Sequence, residues 1–164
     1  MKRLILMRHA KSDWSGGLTS DHDRPLNGRG RRGATVLGDW LRDEGLVPDE
    51  ILCSSAMRTR ETLTRLALPE TTPTRFERGL YLATEDQILD QLQRAKGDVV
   101  LMLGHNPGIA YCAAGVLATP PAHPDFDKYP TGATLVADFD IDHWADAAWH
   151  SATCAAFTTP RNLT

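Results

Sequence analysis

The feature that most restricts the fold of this chain is the apolar run DVVLML at residues 98–103. The run is continuous and rich in β-branched residues, which is typical of a central strand buried on both faces of a parallel sheet. Residues 4–7 (LILM) and 50–53 (EILC) are shorter runs of the same kind. Helical patterns lie between these runs, so we expect a single-domain, three-layer α/β/α sandwich over residues 1–164 with a mostly parallel sheet.

The predicted helix starts are capping residues that precede apolar residues at helical spacing. In chain order they are Asn27, Ser54-Ser55, the capping box of residues 84–87, and Asn106-Pro107, where Pro107 would be the first helical residue. Gly45, Pro69 and Gly97 mark the ends of the first three helices. Residues 74–76, 133–139 and 150–157 are predicted strands, and the proline-rich residues 119–130 are predicted to form an ordered surface loop or flap.

Composition argues against several classes of function. A net charge of −3 over 164 residues gives no overall basic balance for nucleic acid. No apolar segment approaches the roughly 20 residues that a membrane span needs. The three cysteines, Cys53, Cys112 and Cys154, are far apart and odd in number. This pattern argues against a disulfide framework or a zinc site and favours a reducing, cytoplasmic location.

Polar residues follow each of the three predicted parallel strands. Arg8 and His9 come directly after the first strand, Arg58 comes one turn after the second, and His105 follows the third. Ligands of open α/β sheets bind at the carboxyl ends of the strands. If the three strands are neighbours, two arginines and two histidines therefore meet at one edge of the sheet.

A cluster of this composition fits a phosphoryl group. Guanidinium groups match phosphate oxygens with paired donors and stabilise the charge of a phosphoryl-transfer transition state. A neutral imidazole among them can act as a nucleophile, because nearby arginines disfavour its protonation. The residues alone therefore predict an anion site that contains a candidate nucleophilic histidine.

Five motifs carry a resemblance to a known family. They are RHAKSDW at residues 8–14, RPLNGRG at 24–30, CSSAMRTRET at 53–62, GLYLA at 79–83 and GHNPG at 104–108. Together and in this order they resemble the histidine phosphatase superfamily, whose fold is phosphoglycerate mutase-like. The variant RHAKSDW resembles the SixA-like phosphohistidine phosphatases in particular.

The resemblance implies a role for each strand-end residue. His9 resembles the nucleophile that becomes phosphohistidine, and Arg8 and Arg58 resemble the phosphate-binding arginines. His105 resembles the second histidine, which binds phosphate and stabilises the group in transfer. The family implies neither a metal nor an organic cofactor.

Other positions are predicted from the same resemblance. Ser15 stands where mutase-type relatives have Asn, so it is predicted as a weaker phosphate ligand, and Asn106 is predicted to bind substrate. Ala10 replaces the Gly that usually follows the catalytic histidine. Arg24 is predicted to brace the pocket or to pair with Asp21.

Three carboxyl groups are candidates for the proton donor to the leaving group. Glu77 resembles the acidic residue with this role in larger family members, and Asp21 and Asp23 lie in the loop after His9. A fourth possibility is that no donor is needed, because a protonated phosphohistidine already has a good leaving group.

We expect a protein phosphohistidine phosphatase of SixA type. The chain between Arg58 and Asp98 is short for the helical insert that covers the site in mutases, which favours an open site. The alternatives are a small-molecule phosphomonoester phosphatase, acting on a sugar or nucleotide-derived phosphate, and a catalytically silent phosphate-binding module. The expected partner is thus a phosphohistidine-containing protein or a small phosphorylated substrate, and the sequence carries no signal for an oligomeric state.

Overall fold

The computed structural model describes residues 1–17 and 19–164. These residues form six strands, all in one sheet: β1 (Lys2–Arg8), β2 (Glu50–Ser54), β3 (Thr74–Glu77), β4 (Val99–Gly104), β5 (Thr134–Phe139) and β6 (Thr153–Thr158). They also form five α-helices: α1 (Gly28–Asp43), α2 (Met57–Leu66), α3 (Glu85–Gln93), α4 (Gly108–Val116) and α5 (Pro160–Leu163). The three-layer α/β/α prediction is confirmed.

The strand order β3-β2-β4-β1-β5-β6 places β4 between β1 and β2. These three strands and β3 are parallel, β5 runs antiparallel to β1, and β6 runs antiparallel to β5. Arg8 is paired in register with Gly104, and Cys53 with Leu103. The carboxyl ends of β1, β2 and β4 therefore lie side by side, as the strand-end prediction requires.

The core has one apolar layer on each face of the sheet. Along β1, Leu4 and Leu6 pack with α3 and α4, whereas Ile5 and Met7 pack with α1 and α2. All four side chains are fully buried. Burial of each contributes about 1.5–3 kcal/mol relative to exposure, so a strand that is apolar on both sides is held firmly in the middle of the sheet.

Two of the predicted helix caps are present. The Asn27 side chain accepts a hydrogen bond from the Gly30 N–H at 2.8 Å and begins α1. Thr84 and Gln87 form the reciprocal capping box at the start of α3. Gly45, with φ of +68°, follows the end of α1 at Asp43, where a residue without a Cβ accepts this conformation readily.

Three predicted helix boundaries are wrong. Ser54 ends β2, and α2 begins later, at Met57; α3 ends at Gln93, well before Gly97. The third helix start is also displaced, because α4 begins at Gly108 and Asn106 does not cap it. In two of these cases a tertiary contact explains the difference, since the polar side chain predicted to cap a helix is bonded elsewhere in the site.

The proline-rich segment of residues 119–130 contains Tyr129, near its end, and this residue is fully buried. Its hydroxyl donates to the Leu6 carbonyl and accepts from the Leu135 N–H. The end of this segment is therefore anchored to β1 and β5, which fixes the position of the Tyr129 carbonyl beside the site.

Candidate active site

His9 directly follows β1, and only 5% of its surface is exposed. Its N–H donates to the Gly104 carbonyl and its carbonyl accepts from the Gly132 N–H, so the backbone is held on both sides. Its Nδ1 lies 2.7 Å from the Ala10 carbonyl oxygen. A carbonyl can only accept, so Nδ1 carries the proton and the neutral ring has its lone pair on Nε2.

The electrostatic environment keeps this imidazole neutral. Burial, together with the positive charges of Arg8, Arg58 and Arg24, lowers the pKa of His9 to about 3, against the opposing effect of the Ala10 hydrogen bond. His9 is therefore a neutral imidazole at neutral pH, as the sequence predicts for a nucleophile.

His105, after β4, lies beside His9. The two ring centroids are 5.3 Å apart, and His105 is 2% exposed. Its Nε2 is 2.8 Å from the Ser54 Oγ, and its Nδ1 is buried without a hydrogen-bond partner among the described residues. Burial, followed by the proximity of His9 and Arg58, lowers the pKa of His105 to about 3.

Two arginines complete the cluster. Arg8 donates through Nη1 to the Tyr129 carbonyl at 3.2 Å. Arg58, on the first turn of α2 and 3% exposed, donates to the Asp21 carbonyl at 2.7 Å and to the Asp21 carboxylate at 3.1 Å. Burial and the positive charge of Arg58 both lower the pKa of Arg8, which shows that the two guanidinium groups share one electrostatic environment.

Several buried donors in this cluster lack a hydrogen-bond partner within residues 1–17 and 19–164. They are Nε of Arg8, Nε of Arg58, Nε of Arg24 and Nδ1 of His105, if Nδ1 carries the ring proton. An unsatisfied buried donor costs about 1–3 kcal/mol, and more when it is charged. An oxyanion such as a phosphoryl group offers hydrogen-bond acceptors for donors of this kind.

Asp21 links the arginines to a tyrosine. It lies in a 3₁₀ turn (Asp21–Asp23), and its carboxylate accepts hydrogen bonds from Arg24, Arg58 and the Tyr81 hydroxyl. The Tyr81 hydrogen bond and the two arginines lower the pKa of Asp21 to about 2, against the effect of burial. The carboxylate is therefore an ionised acceptor in this arrangement, and its proton-donor role stays a prediction. The predicted Arg24–Asp21 pair is present at 3.1 Å.

Tyr81 is the site residue that sequence reasoning missed. Its ring contacts His105 edge-on with centroids 5.5 Å apart, and His22 edge-on at 4.8 Å. His22 in turn lies 2.8 Å from the Ser55 hydroxyl. The GLYLA motif contains Tyr81, but nothing in its local pattern indicates that the hydroxyl reaches a carboxylate 60 residues earlier in the chain.

Glu77 lies at the end of β3, paired in register with Ser54. Its carboxylate is 3.7 Å from Nε of Arg75, and 32% of its side chain is exposed. The ion pair with Arg75 is a structural role for Glu77 and is the alternative to proton donation. The catalytic assignment of Glu77 stays a prediction. Asp23 is exposed and accepts from the Ser20 hydroxyl at 3.0 Å.

The two predicted auxiliary phosphate ligands are engaged elsewhere. The Ser15 hydroxyl is exposed and donates to the Asp13 carboxylate at 2.6 Å. The Asn106 amide donates to the carbonyls of Lys128 and Tyr129, and its Oδ1 is buried without a partner in the described part of the chain. Phosphate binding by Ser15 and Asn106 therefore stays a prediction, and it requires these hydrogen bonds to open.

The described residues show neither a metal site nor a membrane-spanning helix. They contain no group of three or more His, Cys, Asp or Glu arranged to hold a metal ion. Of the helices described, none has the length and apolarity to cross a bilayer.

Comparison with known proteins gives one consistent family. The family model of the histidine phosphatase superfamily (branch 1) matches residues 4–81. An uncharacterized protein of Mycobacterium tuberculosis is 35% identical over 162 residues, which cover 94% of this chain and 100% of that protein.

Solved structures agree over nearly the whole chain. A Nakamurella multipartitia protein, described as a candidate phosphohistidine phosphatase SixA, superposes with a TM-score of 0.84 at 30% identity, covering 97% of this chain and 96% of its own. A second candidate SixA, from Agrobacterium tumefaciens, has a TM-score of 0.80 at 25% identity, with coverage of 97% and 98%. The chain thus belongs to the histidine phosphatase superfamily, resembles its SixA proteins most specifically, and is a phosphatase.

Proposed function

We propose that this phosphatase removes the phosphoryl group from a phosphohistidine side chain of a protein, through a phosphohistidine intermediate on His9. The observation that carries the proposal is the arrangement around His9. An unprotonated Nε2 lies among buried donors of Arg8, Arg58 and His105 that have no partner in the described residues. A nucleophile and the donors for its electrophile are therefore placed together before substrate arrives.

The donors hold the phosphoryl oxygens. Ser54 Oγ accepts from the Ala56 N–H at 3.3 Å, so its own proton is available to His105 Nε2. With that proton directed at Nε2, Nδ1 of His105 carries the ring proton and donates to a phosphoryl oxygen. Arg8 and Arg58 donate to the other oxygens, and their charge stabilises the transition state.

In the first step His9 Nε2 attacks phosphorus in line. The Nε2–P bond forms as the bond from phosphorus to the substrate imidazole breaks. The substrate ring, protonated on its other nitrogen, leaves as neutral imidazole and needs no proton from the enzyme. Ionised Asp21 is compatible with this route, because no general acid is used.

In the second step water attacks the phosphorus of the phosphoenzyme. The Nε2–P bond breaks, the oxygen of water joins phosphorus, and the proton of water passes to the released phosphate or to solvent. The proton on Nδ1 stays in its hydrogen bond to the Ala10 carbonyl throughout. The imidazole ring of phosphorylated His9 is therefore cationic. When the Nε2–P bond breaks, the ring becomes the neutral imidazole that began the cycle.

The short segment between α2 and β4 supports a macromolecular substrate. It contains β3, a 3₁₀ turn (Arg78–Leu80) and α3, and α3 packs against the sheet through Ile88, Leu89 and Leu92. Residues 67–98 contain no further helix that could cover His9. The likeness to two candidate SixA structures supports the same substrate class.

The test compares substrates of different chemistry. Phosphate release is measured from a phosphohistidine peptide, from a panel of sugar phosphates and from p-nitrophenyl phosphate, with wild type, His9→Ala and the exposed control His143→Ala. We expect fastest release from phosphohistidine, loss in His9→Ala and no change in the control. Preference for a sugar phosphate would mean that the substrate is a small phosphate ester. Phosphate release that persists in His9→Ala would reject His9 as the nucleophile.

The intermediate and the proton donor have separate tests. Mass spectrometry after rapid quenching should find acid-labile, base-stable phosphate on His9, and its absence would reject the covalent route. If Glu77 is a proton donor, Glu77→Gln will slow hydrolysis of alkyl phosphates, whose leaving group is poor, much more than that of phosphohistidine. Equal small effects on both would assign Glu77 to its ion pair with Arg75.

A further inference from the structure

A second cavity lies beside the active site and has no part in the mechanism above. Its volume is about 720 Å³, and it lies between the first turns of α1, the C-terminal helix α5 and residues 130–131. Ala10 and Lys11, which directly follow His9, form one of its walls. None of Arg8, His9, Arg58 and His105 is among the described residues that line it, so it is separate from the phosphoryl pocket.

The lining of this cavity is strongly basic. Four cationic residues are among those that line it, Lys11, Arg29, Arg32 and Arg161, and Asp125 is the acidic residue among the described lining residues. Arg31 and Arg94 are paired with carboxylates, whereas the exposed cations Arg60, Arg65, Arg78, Lys96 and Lys128 are dispersed over other parts of the described chain and form no ion pair there. None of the four cavity cations forms an ion pair in the part of the chain that the structure describes.

The packing of α5 makes the cavity concave. A Cβ on Gly33 of α1 would lie 3.4 Å from Pro160, so α5 approaches α1 closely at this point. Arg161 of α5 therefore lines the same space as Arg29 and Arg32 of α1. Like charges around one concave space repel each other, and this repulsion is relieved when an anion binds between them.

We propose that this cavity is a second anion-binding site, for a small polyanion that carries a chain of two or more phosphate groups. The volume lies within the range of small-molecule sites, about 300–1,000 Å³, and exceeds what one phosphate fills. A concave space favours a small ligand over the flat face of a protein. Nucleoside polyphosphates and inorganic polyphosphates share the required chemistry.

The experiment is calorimetric titration of the full chain with ATP and, separately, with tripolyphosphate, at low and at physiological salt. The site variant is Arg29→Gln/Arg32→Gln. Both residues are exposed on α1, and Gln keeps a good helix former there, so the fold should be retained. The control Arg65→Gln/Arg94→Gln removes the same net charge elsewhere, and Arg58→Ala removes one of the two arginines of the phosphoryl pocket.

We expect binding to wild type, to the control and to Arg58→Ala, and roughly tenfold weaker binding to the site variant, as two exposed charge contacts are lost. Binding of tripolyphosphate and ATP alike would identify the phosphate chain as the recognised group, and binding of ATP alone would add the nucleoside. Three results would overturn the proposal: no binding at physiological salt, loss only in Arg58→Ala, or equal loss in the site variant and the charge control. The readout is binding, so it does not depend on which substrate His9 serves.

Discussion

The two sides of the active site are built in different ways. The strand-end side consists of Arg8, the last residue of β1, and of His9 and His105, which directly follow the adjacent parallel strands β1 and β4. Backbone hydrogen bonds hold Arg8 and His9 at this edge of the sheet. The loop side consists of Asp21, Arg24 and Tyr81, which lie in or beside short turns and are fixed by hydrogen bonds between side chains. Arg58 joins them, since it is bonded to Asp21 and shares the electrostatic environment of Arg8.

This difference suggests that the two sides of the site have different roles in the reaction. The strand-end side carries the groups assigned to bond making and to the phosphoryl oxygens, and the sheet holds them without help from substrate. The loop side holds the arginines in place, and an ionised Asp21 offsets part of the repulsion between Arg24 and Arg58. Substitutions on the strand-end side should therefore cost more activity than those on the loop side.

The largest effect is expected on the strand-end side. His105→Ala removes a donor to the phosphoryl group and should lower kcat/KM for a phosphohistidine peptide by about 10²–10³, the usual cost of losing one such donor. Ser54→Ala keeps the imidazole but removes its Ser54 contact and should cost about tenfold. A loss in Ser54→Ala as large as in His105→Ala would mean that Ser54, not the ring, is the important group.

The second prediction concerns stability against pH. The pKa values of His9 and His105 are about 3 in the folded protein, against an ordinary 6.5. Below pH 6.5 the unfolded chain binds protons that the folded chain does not, so stability falls as pH falls from 6.5 toward 3. The pair should contribute on the order of a few kcal/mol to this loss.

The measurement is Tm between pH 7 and pH 5, where most carboxylates do not titrate. We expect wild type and the exposed control His143→Gln to lose Tm over this range, and His105→Gln to lose less. The quantity compared is the slope of Tm against pH, so a constant offset from the substitution does not matter. Equal slopes for all three proteins would show that His105 is not held neutral by the fold.

A smaller effect is expected on the loop side. Asp21→Asn keeps the shape of the side chain but removes the charge that holds Arg24 and Arg58, and kcat should fall roughly tenfold through misplacement of Arg58. The loss should be equal for p-nitrophenyl phosphate and for an alkyl phosphate. A much larger loss on the alkyl phosphate would instead make Asp21 the proton donor and remove the distinction between the two sides.

The smallest effect is expected for Tyr81→Phe. The ring contacts with His105 and His22 are kept, and only the hydroxyl that donates to Asp21 is lost. Activity should fall about threefold, the scale of one modest hydrogen bond. The Asp21→Asn/Tyr81→Phe double variant should then be no worse than Asp21→Asn alone, because Tyr81 acts through Asp21, and additive losses would reject that coupling.

The sequence by itself determined the central sheet, the residues at its carboxyl edge and two of the helix caps. The apolar run at β4 predicted a sheet buried on both faces, because only a central strand removes every side chain of such a run from water. The sequence also predicted that the residues after β1, β2 and β4 lie close together, because the carboxyl ends of parallel strands lie at one edge of the sheet. The Asn27 cap and the Thr84–Gln87 box were predicted because capping depends on residues within one turn of each other.

Tertiary structure alone decided the rest of the site. Ser54 and Asn106 look like helix caps locally, but they bond to His105 and to the carbonyls of Lys128 and Tyr129, which are distant in sequence. The sequence left Asp21 as one of three candidate acids, and the structure shows that its carboxylate accepts hydrogen bonds from Arg24, Arg58 and Tyr81. The role of a carboxylate depends on the groups that surround it, and here Arg58 and Tyr81 reach it only after the chain has folded.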